Sequence, residues 1–177
     1  MLSDLAKIFI TEEALQKRIK ELAGQINRDY KGGELVMICV LRGAIMFYAD
    51  LLRNIDMKVV TAYIAVSSYA GTESSGAIRL QYDLDEDIRG KDVLIVEDII
   101  DSGGTIKYLL NSLMLRKPNS VKTCCLLDKP ARRKTDYTPD YTGFVIEDEF
   151  VVGYGLDYNE KYRNLNVVGV LKKEIYA

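Results

Sequence analysis

The decisive stretch is Val93-Leu94-Ile95-Val96-Glu97-Asp98-Ile99-Ile100-Asp101-Ser102-Gly103-Gly104-Thr105. Its first four residues are apolar and mostly β-branched, which predicts a buried strand over Asp92–Val96. Two adjacent acids follow, and a third comes three residues later. A Ser-Gly-Gly-Thr turn then opens a helix, whose apolar stripe is Ile106, Leu109, Leu110 and Leu113. Ser102 to Thr105 place small residues at a helix N-terminus, where backbone N–H groups are unpaired and the dipole end is positive. Glycines permit close approach there, and the two hydroxyls add donors. That is a phosphate cradle. It is not a Walker A loop, because GxxxxGK[ST] occurs nowhere in the chain. The preceding acids would repel a phosphate at their own position. They suit a ligand with hydroxyls beside its phosphate, such as a ribose 5-phosphate. Carboxylates accept hydrogen bonds from a vicinal diol and help hold a divalent metal. Solvated acids in an ordinary strand–helix connection are the plain alternative. The joint pattern of the run argues against it.

Upstream, residues 11–30 are predicted to form an amphipathic helix. Thr11 is its N-cap, Glu12 and Glu13 suit the dipole, and Leu15, Ile19, Leu22 and Ile26 make the buried stripe. Lys31, Gly32 and Gly33 end it. Leu35–Val40 is an apolar run expected to be a buried strand, Leu41-Arg42-Gly43 breaks it, and Ala44–Ile55 is a second helix. Met57–Val66 is a further strand. Ser67–Gly76 is polar and too long for a tight turn, so it is expected to be a mobile loop. Ile78–Leu84 returns as a strand, Val121–Leu127 and Gly143–Ile146 follow, and Val151-Val152 and Val167–Leu171 lie in a tail rich in Tyr and charge. Strands alternate with helices, which predicts an α/β fold: a mostly parallel twisted sheet with helices on both faces. The returning strand and the tail break the alternation and are expected to form a small flap over the site. In such sheets ligands bind at the carboxyl ends of the strands.

Composition narrows the chemistry. The 177 residues are the size of one domain, 1–177, and no linker divides them. Lys and Arg number 24 against 26 acids, for a net charge of −2, which speaks against an extended nucleic-acid face. Cys39, Cys124 and Cys125 sit in apolar runs and are expected to be reduced core thiols of a cytoplasmic protein. There is no histidine, so Ser-His-Asp and Cys-His catalysis are excluded. Proton transfer must use carboxylates, Lys, Tyr or solvent. Met1–Ile10, with Asp4 and Lys7, does not look like an export signal, and no run approaches the roughly 18–20 apolar residues of a membrane span.

The run at 93–105 resembles the signature of the phosphoribosyltransferase family, in its type I fold. The resemblance is closest to the bacterial-type hypoxanthine-guanine members. It extends over Val40-Leu41-Arg42-Gly43, Val66-Ser67-Ser68-Tyr69, Leu127-Asp128-Lys129 and Phe150-Val151-Val152-Gly153-Tyr154-Gly155-Leu156-Asp157-Tyr158-Asn159-Glu160. It implies purine salvage: phosphoribosyl transfer from 5-phosphoribosyl 1-pyrophosphate to hypoxanthine or guanine, giving IMP or GMP and pyrophosphate. By resemblance, Glu97 and Asp98 hold the ribose hydroxyls and help bind Mg²⁺. Ser102, Gly103, Gly104 and Thr105 wrap the 5-phosphate, although many relatives carry a longer side chain where Gly104 stands. Asp101 is the general base at purine N7, or holds the proton there. Leu41, Arg42 and Gly43 form a pyrophosphate loop in which the peptide before the basic residue can be cis. Lys129 hydrogen-bonds the 6-oxo group, Phe150 stacks on the base, and the Val151 backbone reads its edge. Asp157 binds Mg²⁺ through pyrophosphate, and Arg163 contacts pyrophosphate. Ser68 and Tyr69 belong to a lid, about 67–79. The N- and C-terminal segments form a hood, and a homo-dimer or homo-tetramer is implied. Read singly, Arg42 is a surface arginine, Lys129 before Pro130 a turn residue and Phe150 a core aromatic.

Two alternatives stand beside this. One is a relative that prefers xanthine; adenine is disfavoured, because Lys129 would face an amino donor. The other is a regulatory RNA-binding protein on the same fold, for which Arg132, Arg133 and Lys134 are the one basic cluster. No nucleic-acid or membrane partner is expected for the enzyme.

Overall fold

The structure is a computed structural model. It describes residues 1–68 and 78–176, and for Ser68 the backbone. The lid expectation, including Tyr69, therefore lies mostly outside the described residues.

A six-stranded sheet forms the body. Its strands are β2 (Leu35–Leu41), β3 (Val59–Ser68), β4 (Ile78–Tyr82), β5 (Asp92–Ile100), β6 (Ser120–Asp128) and β7 (Tyr141–Val145), in the order β4-β3-β2-β5-β6-β7. All neighbours are parallel except β4, which returns antiparallel along β3. The returning strand is thus an edge of the main sheet and not part of a flap. The tail separates from it: β8 (Val151–Val152) and β9 (Val168–Leu171) join β1 (Leu5–Ile10) in a second, antiparallel sheet, ordered β1-β9-β8. Strand β1 was not foreseen. Only Leu5 and Ile10 are buried along it, and two register shifts against β9 erase the alternation that marks a strand.

Helices α1 (Glu12–Asp29) and α2 (Ile45–Arg53) cover one face of the main sheet, and α3 (Gly104–Met114) covers the other. Thr11 caps α1 as expected, accepting from the Ala14 N–H at 3.3 Å. The pleat sorts the central strands between two cores. Met37, Cys39, Leu94 and Val96 face α1 and α2, while Val36, Ile38, Val93 and Ile95 face α3 with Ile106, Leu109 and Leu113. The three cysteines are free and buried. Burial pushes the Cys39 and Cys125 thiols up to about 12. Among the described residues, no helix is long and apolar enough to cross a membrane.

From β2 the chain leads through α2 to β3 on one side, whereas β5 lies on the other. The two connections part at the carboxyl ends of β2 and β5, and such a parting opens a crevice.

Candidate active site

The register creates the crevice. Pairing of β2 with β5 ends at Cys39 and Val96, but β5 continues along β6 to Ile100 and Asp128. Glu97 and Asp98 therefore sit on a strand that has outrun one neighbour, rather than in a loop after Val96 as expected. A cavity of about 300 Å³ occupies the space. Of the residues expected in the site, Leu41, Gly43, Glu97, Asp98, Asp101, Ser102, Gly103 and Thr105 line it together. Gly104 lies beside it, and its N–H is 3.4 Å from Ser102 Oγ. A Cβ at Gly104 would meet nothing closer than 3.6 Å, so the backbone position has room for a side-chain stem. Gly103 is the N-cap of α3, with φ 83°.

The acids have distinct environments. Glu97 is buried, and the Asp98 N–H donates to its Oε1 at 3.2 Å. Burial, together with the neighbouring Asp98 charge, holds Glu97 well above the usual carboxylate range. Burial raises Asp98 too, opposed by bonds from Glu97 and the Ile99 N–H and by the Arg163 charge. This has a consequence for stability. A raised value means that the native state gives up the Glu97 proton at higher pH than the unfolded chain, which loses it from about pH 4.5. Stability should fall as pH rises from there through the native value. The Glu97→Gln variant mimics the protonated form. It is expected to be more stable than the native sequence by about 1–3 kcal/mol at pH 8, with the gap closing towards pH 5. Urea unfolding at the two pH values checks this.

Asp101 lines the cavity from the turn that enters α3. Its Oδ1 is shielded from solvent and accepts no hydrogen bond, although Arg132 Nε lies 3.2 Å away. The turn is held from behind by Arg133, which the sequence did not single out as a site residue. Arg133 Nε donates to the Asp101 carbonyl at 3.2 Å, Nη1 donates to the Tyr137 carbonyl at 2.7 Å, and Nη2 pairs with Asp128. Its side chain is only 11% exposed. Of the basic cluster Arg132-Arg133-Lys134, Arg133 points inward, while Arg132 and Lys134 stay exposed and Arg132 is paired with Asp101 and Asp148.

Lys129 is buried where β6 ends. Its N–H donates to the Ile100 carbonyl at 3.0 Å, and its Nζ donates to the Glu149 carbonyl at 2.6 Å. That bond ties Lys129 to the segment carrying Phe150 and Val151. Phe150 is 38% exposed and stacks on Tyr176 with ring centroids 4.5 Å apart. Tyr176 gave no signal in the sequence. Val151 is buried, and its backbone lies in the β8–β9 ladder.

A third group gathers at the β2 end. The Leu41–Arg42 peptide is cis. Gly153, Tyr154 and Gly155 are consecutive left-handed residues that turn the tail back onto this loop. A Cβ on Gly155 would overlap the Gly43 carbonyl oxygen, so only glycine permits the approach. The approach brings Asp157, Glu160 and Arg163 to Arg42. Arg163 donates to the Gly155 carbonyl at 2.8 Å and pairs with Asp157 at 2.8 Å. Arg42 pairs with Glu160 at 3.0 Å.

A cleft at the switch point of a parallel sheet, with paired acids leading into a glycine-rich helix N-terminus, has the chemistry to receive a sugar phosphate. The phosphoribosyl transferase domain model matches residues 9–159, and the chain belongs to the phosphoribosyltransferase family. Within the family it groups with the hypoxanthine-guanine phosphoribosyltransferases. It is 48% identical to hypoxanthine-guanine phosphoribosyltransferase of Staphylococcus aureus, across 100% of this chain and 99% of that protein. It is 47% identical to hypoxanthine-guanine-xanthine phosphoribosyltransferase of Tritrichomonas foetus, across 100% of this chain and 97% of that one. Among solved structures, hypoxanthine phosphoribosyltransferase of S. aureus superposes with a TM-score of 0.96, at 48% identity over 100% of this chain and 97% of that one. The Trypanosoma cruzi enzyme in complex with the product IMP superposes at 0.92, with 44% identity over 98% and 97% of the two chains.

Proposed function

We propose that this chain salvages purines, joining hypoxanthine or guanine to 5-phosphoribosyl 1-pyrophosphate to give IMP or GMP and free pyrophosphate. The observation that carries the reading is the shared cavity: cradle, paired acids and Asp101 line one space where β2 and β5 end. The N-terminus of α3, with Ser102, Gly103, Gly104 and Thr105, takes the 5-phosphate. Glu97 and Asp98 accept hydrogen bonds from the ribose hydroxyls. Asp101 receives or holds the proton at purine N7. With no histidine in the chain, a carboxylate is the natural partner for that proton. Lys129 donates to the 6-oxo group, Phe150 stacks on the base, and the Val151 backbone meets its edge. Leu41, Arg42 and Gly43, with Arg163, receive the pyrophosphate. Ser68 and Tyr69 close over it and exclude water from an oxocarbenium-like transition state.

The donor set suits magnesium. Among the described residues no three acids or cysteines form a cage, and Mg²⁺ beside phosphates takes only one or two carboxylates and completes its shell with phosphate and water oxygens. Glu97 and Asp98 would supply those carboxylates beside the ribose and Asp157 beside the pyrophosphate, and Mg²⁺ held there would neutralise charge on the leaving group. Residues 1–177 act as one catalytic unit, in the cytoplasm, as a homo-dimer or homo-tetramer.

The test follows IMP formation by absorbance with hypoxanthine, 5-phosphoribosyl 1-pyrophosphate and Mg²⁺, with and without a chelator. Turnover that the chelator abolishes is expected. Folded protein without turnover contradicts the reading and favours the RNA-binding regulator, whose binding would weaken steeply with salt.

A further inference from the structure

Glu160 has no role in the scheme above, yet its carboxylate is where the two pyrophosphate arginines meet. Its Oε2 lies 3.0 Å from Arg42 Nη1 and 3.3 Å from Arg163 Nη2. Asp157, the other acid of the group, pairs with Arg163 at 2.8 Å. The side chains of Arg42 and Glu160 are 72% and 58% exposed, so charge rather than packing holds that pair. An internal carboxylate therefore occupies the guanidinium donors that an incoming anion would use.

The backbone under Glu160 adds a second, independent observation. Asn159 and Glu160 have φ of 51° and 61°, both left-handed. They lie between Tyr158 and Lys161, whose backbones exchange hydrogen bonds of 3.2 and 3.1 Å. Two left-handed residues inside such a pair make the pattern of a type I′ turn, whose second central position favours glycine. A glutamate is kept there against that preference, and backbone strain beside a ligand site points to a use for the side chain. The Glu160 N–H donates to Asp157 Oδ2 at 2.9 Å, which fixes the turn to the segment facing the arginines.

We propose that Glu160 is a resident counter-ion: it occupies Arg42 and Arg163 while no pyrophosphate is bound, and pyrophosphate must displace it. The inference rests on the proposed reading that these two arginines receive pyrophosphate. Carboxylate and phosphate oxygens suit the same guanidinium face, so the two compete directly. The competition weakens the hold on pyrophosphate, so that the product leaves sooner. Glu160 is a positioning residue and touches no reacting atom.

The experiment measures the inhibition constant of magnesium pyrophosphate and the KM values of both substrates. It compares the native chain with Glu160→Gln and Glu160→Gly. Glutamine keeps the size and removes the charge. Glycine removes the side chain and suits the left-handed backbone, so folding is preserved. Both variants are expected to bind pyrophosphate and 5-phosphoribosyl 1-pyrophosphate roughly three- to tenfold more tightly. The KM for hypoxanthine should not move, and the gain should shrink at high salt. A merely structural role for Glu160 would loosen the arginines and raise the inhibition constant. An inhibition constant that is unchanged or raised in either variant, while the native chain turns over and is inhibited, overturns the counter-ion role and leaves the pyrophosphate reading intact. A native chain that neither turns over nor binds pyrophosphate overturns that reading and the counter-ion role with it.

Discussion

The Asp101→Asn variant is expected to lose roughly 10²- to 10³-fold in kcat, with the KM for 5-phosphoribosyl 1-pyrophosphate nearly unchanged. Asparagine keeps the size and one acceptor oxygen of the side chain, but it cannot take up a proton. The chain offers no substitute. It has no histidine, and the other acids lining the cavity, Glu97 and Asp98, are assigned to the ribose hydroxyls in the proposed reading. Asp101 is also placed for the task. Its Oδ1 is withdrawn from solvent and accepts no hydrogen bond, and the residue lines the cavity. Arg133 holds the Asp101 carbonyl from the other side, so the turn does not depend on the carboxylate for its shape. The variant should therefore unfold at the same temperature as the native chain. Steady-state kinetics beside thermal unfolding separate the two effects. An asparagine variant with native kcat would show that the proton goes elsewhere.

Gly43→Ala is expected to lower kcat/KM about 100-fold, while costing about 1–2 kcal/mol of stability. The added methyl would overlap the Asp98 carboxylate, whose Oδ1 accepts from the Ile99 N–H at 2.8 Å. One of the two must give way. If the carboxylate rotates, the ribose hydroxyls lose a partner. If the loop at 41–43 moves, Gly155 follows, because its Cα lies against the Gly43 carbonyl. Both outcomes misplace groups that have to converge on one ligand, and misplacement by about 1 Å is enough for such a loss. Kinetics and urea unfolding on the same preparation check it. Native kinetics in a destabilised variant would show that the Gly43–Asp98 contact serves packing alone.

The parts legible in the sequence are those where contiguous residues decide the geometry. The run from Val93 to Thr105 encodes strand, acids, turn and helix in order, and the structure folds it in that order. Its one misreading is informative. An isolated acid pair suggests the end of a strand, but the longer β5–β6 pairing carries Glu97 and Asp98 inside it. Contacts between distant segments left no such trace. Arg133 reads as one of three consecutive cations, and only the fold turns it inward against Asp101 and Asp128. Nothing local in the sequence pairs Glu160 with Arg42; the left-handed run at 153–155 returns the tail to it. Strand β1 lacks alternation because its partner β9 pairs with bulges. The family resemblance supplied Arg42, Lys129, Phe150, Asp157 and Arg163, which their local sequence would have left as turn, core or surface residues.

The central claim is that Lys129 and Asp101 read a 6-oxopurine held above the ribose phosphate cradle. The most direct measurement is kcat/KM for hypoxanthine, guanine, xanthine and adenine with 5-phosphoribosyl 1-pyrophosphate and Mg²⁺. Xanthine is included because its 6-oxo group would present the same acceptor to Lys129. The account predicts turnover of 6-oxopurines, with adenine slower by roughly 10²-fold or more, since a buried ammonium group would face an amino donor. Adenine used as well as hypoxanthine would contradict it.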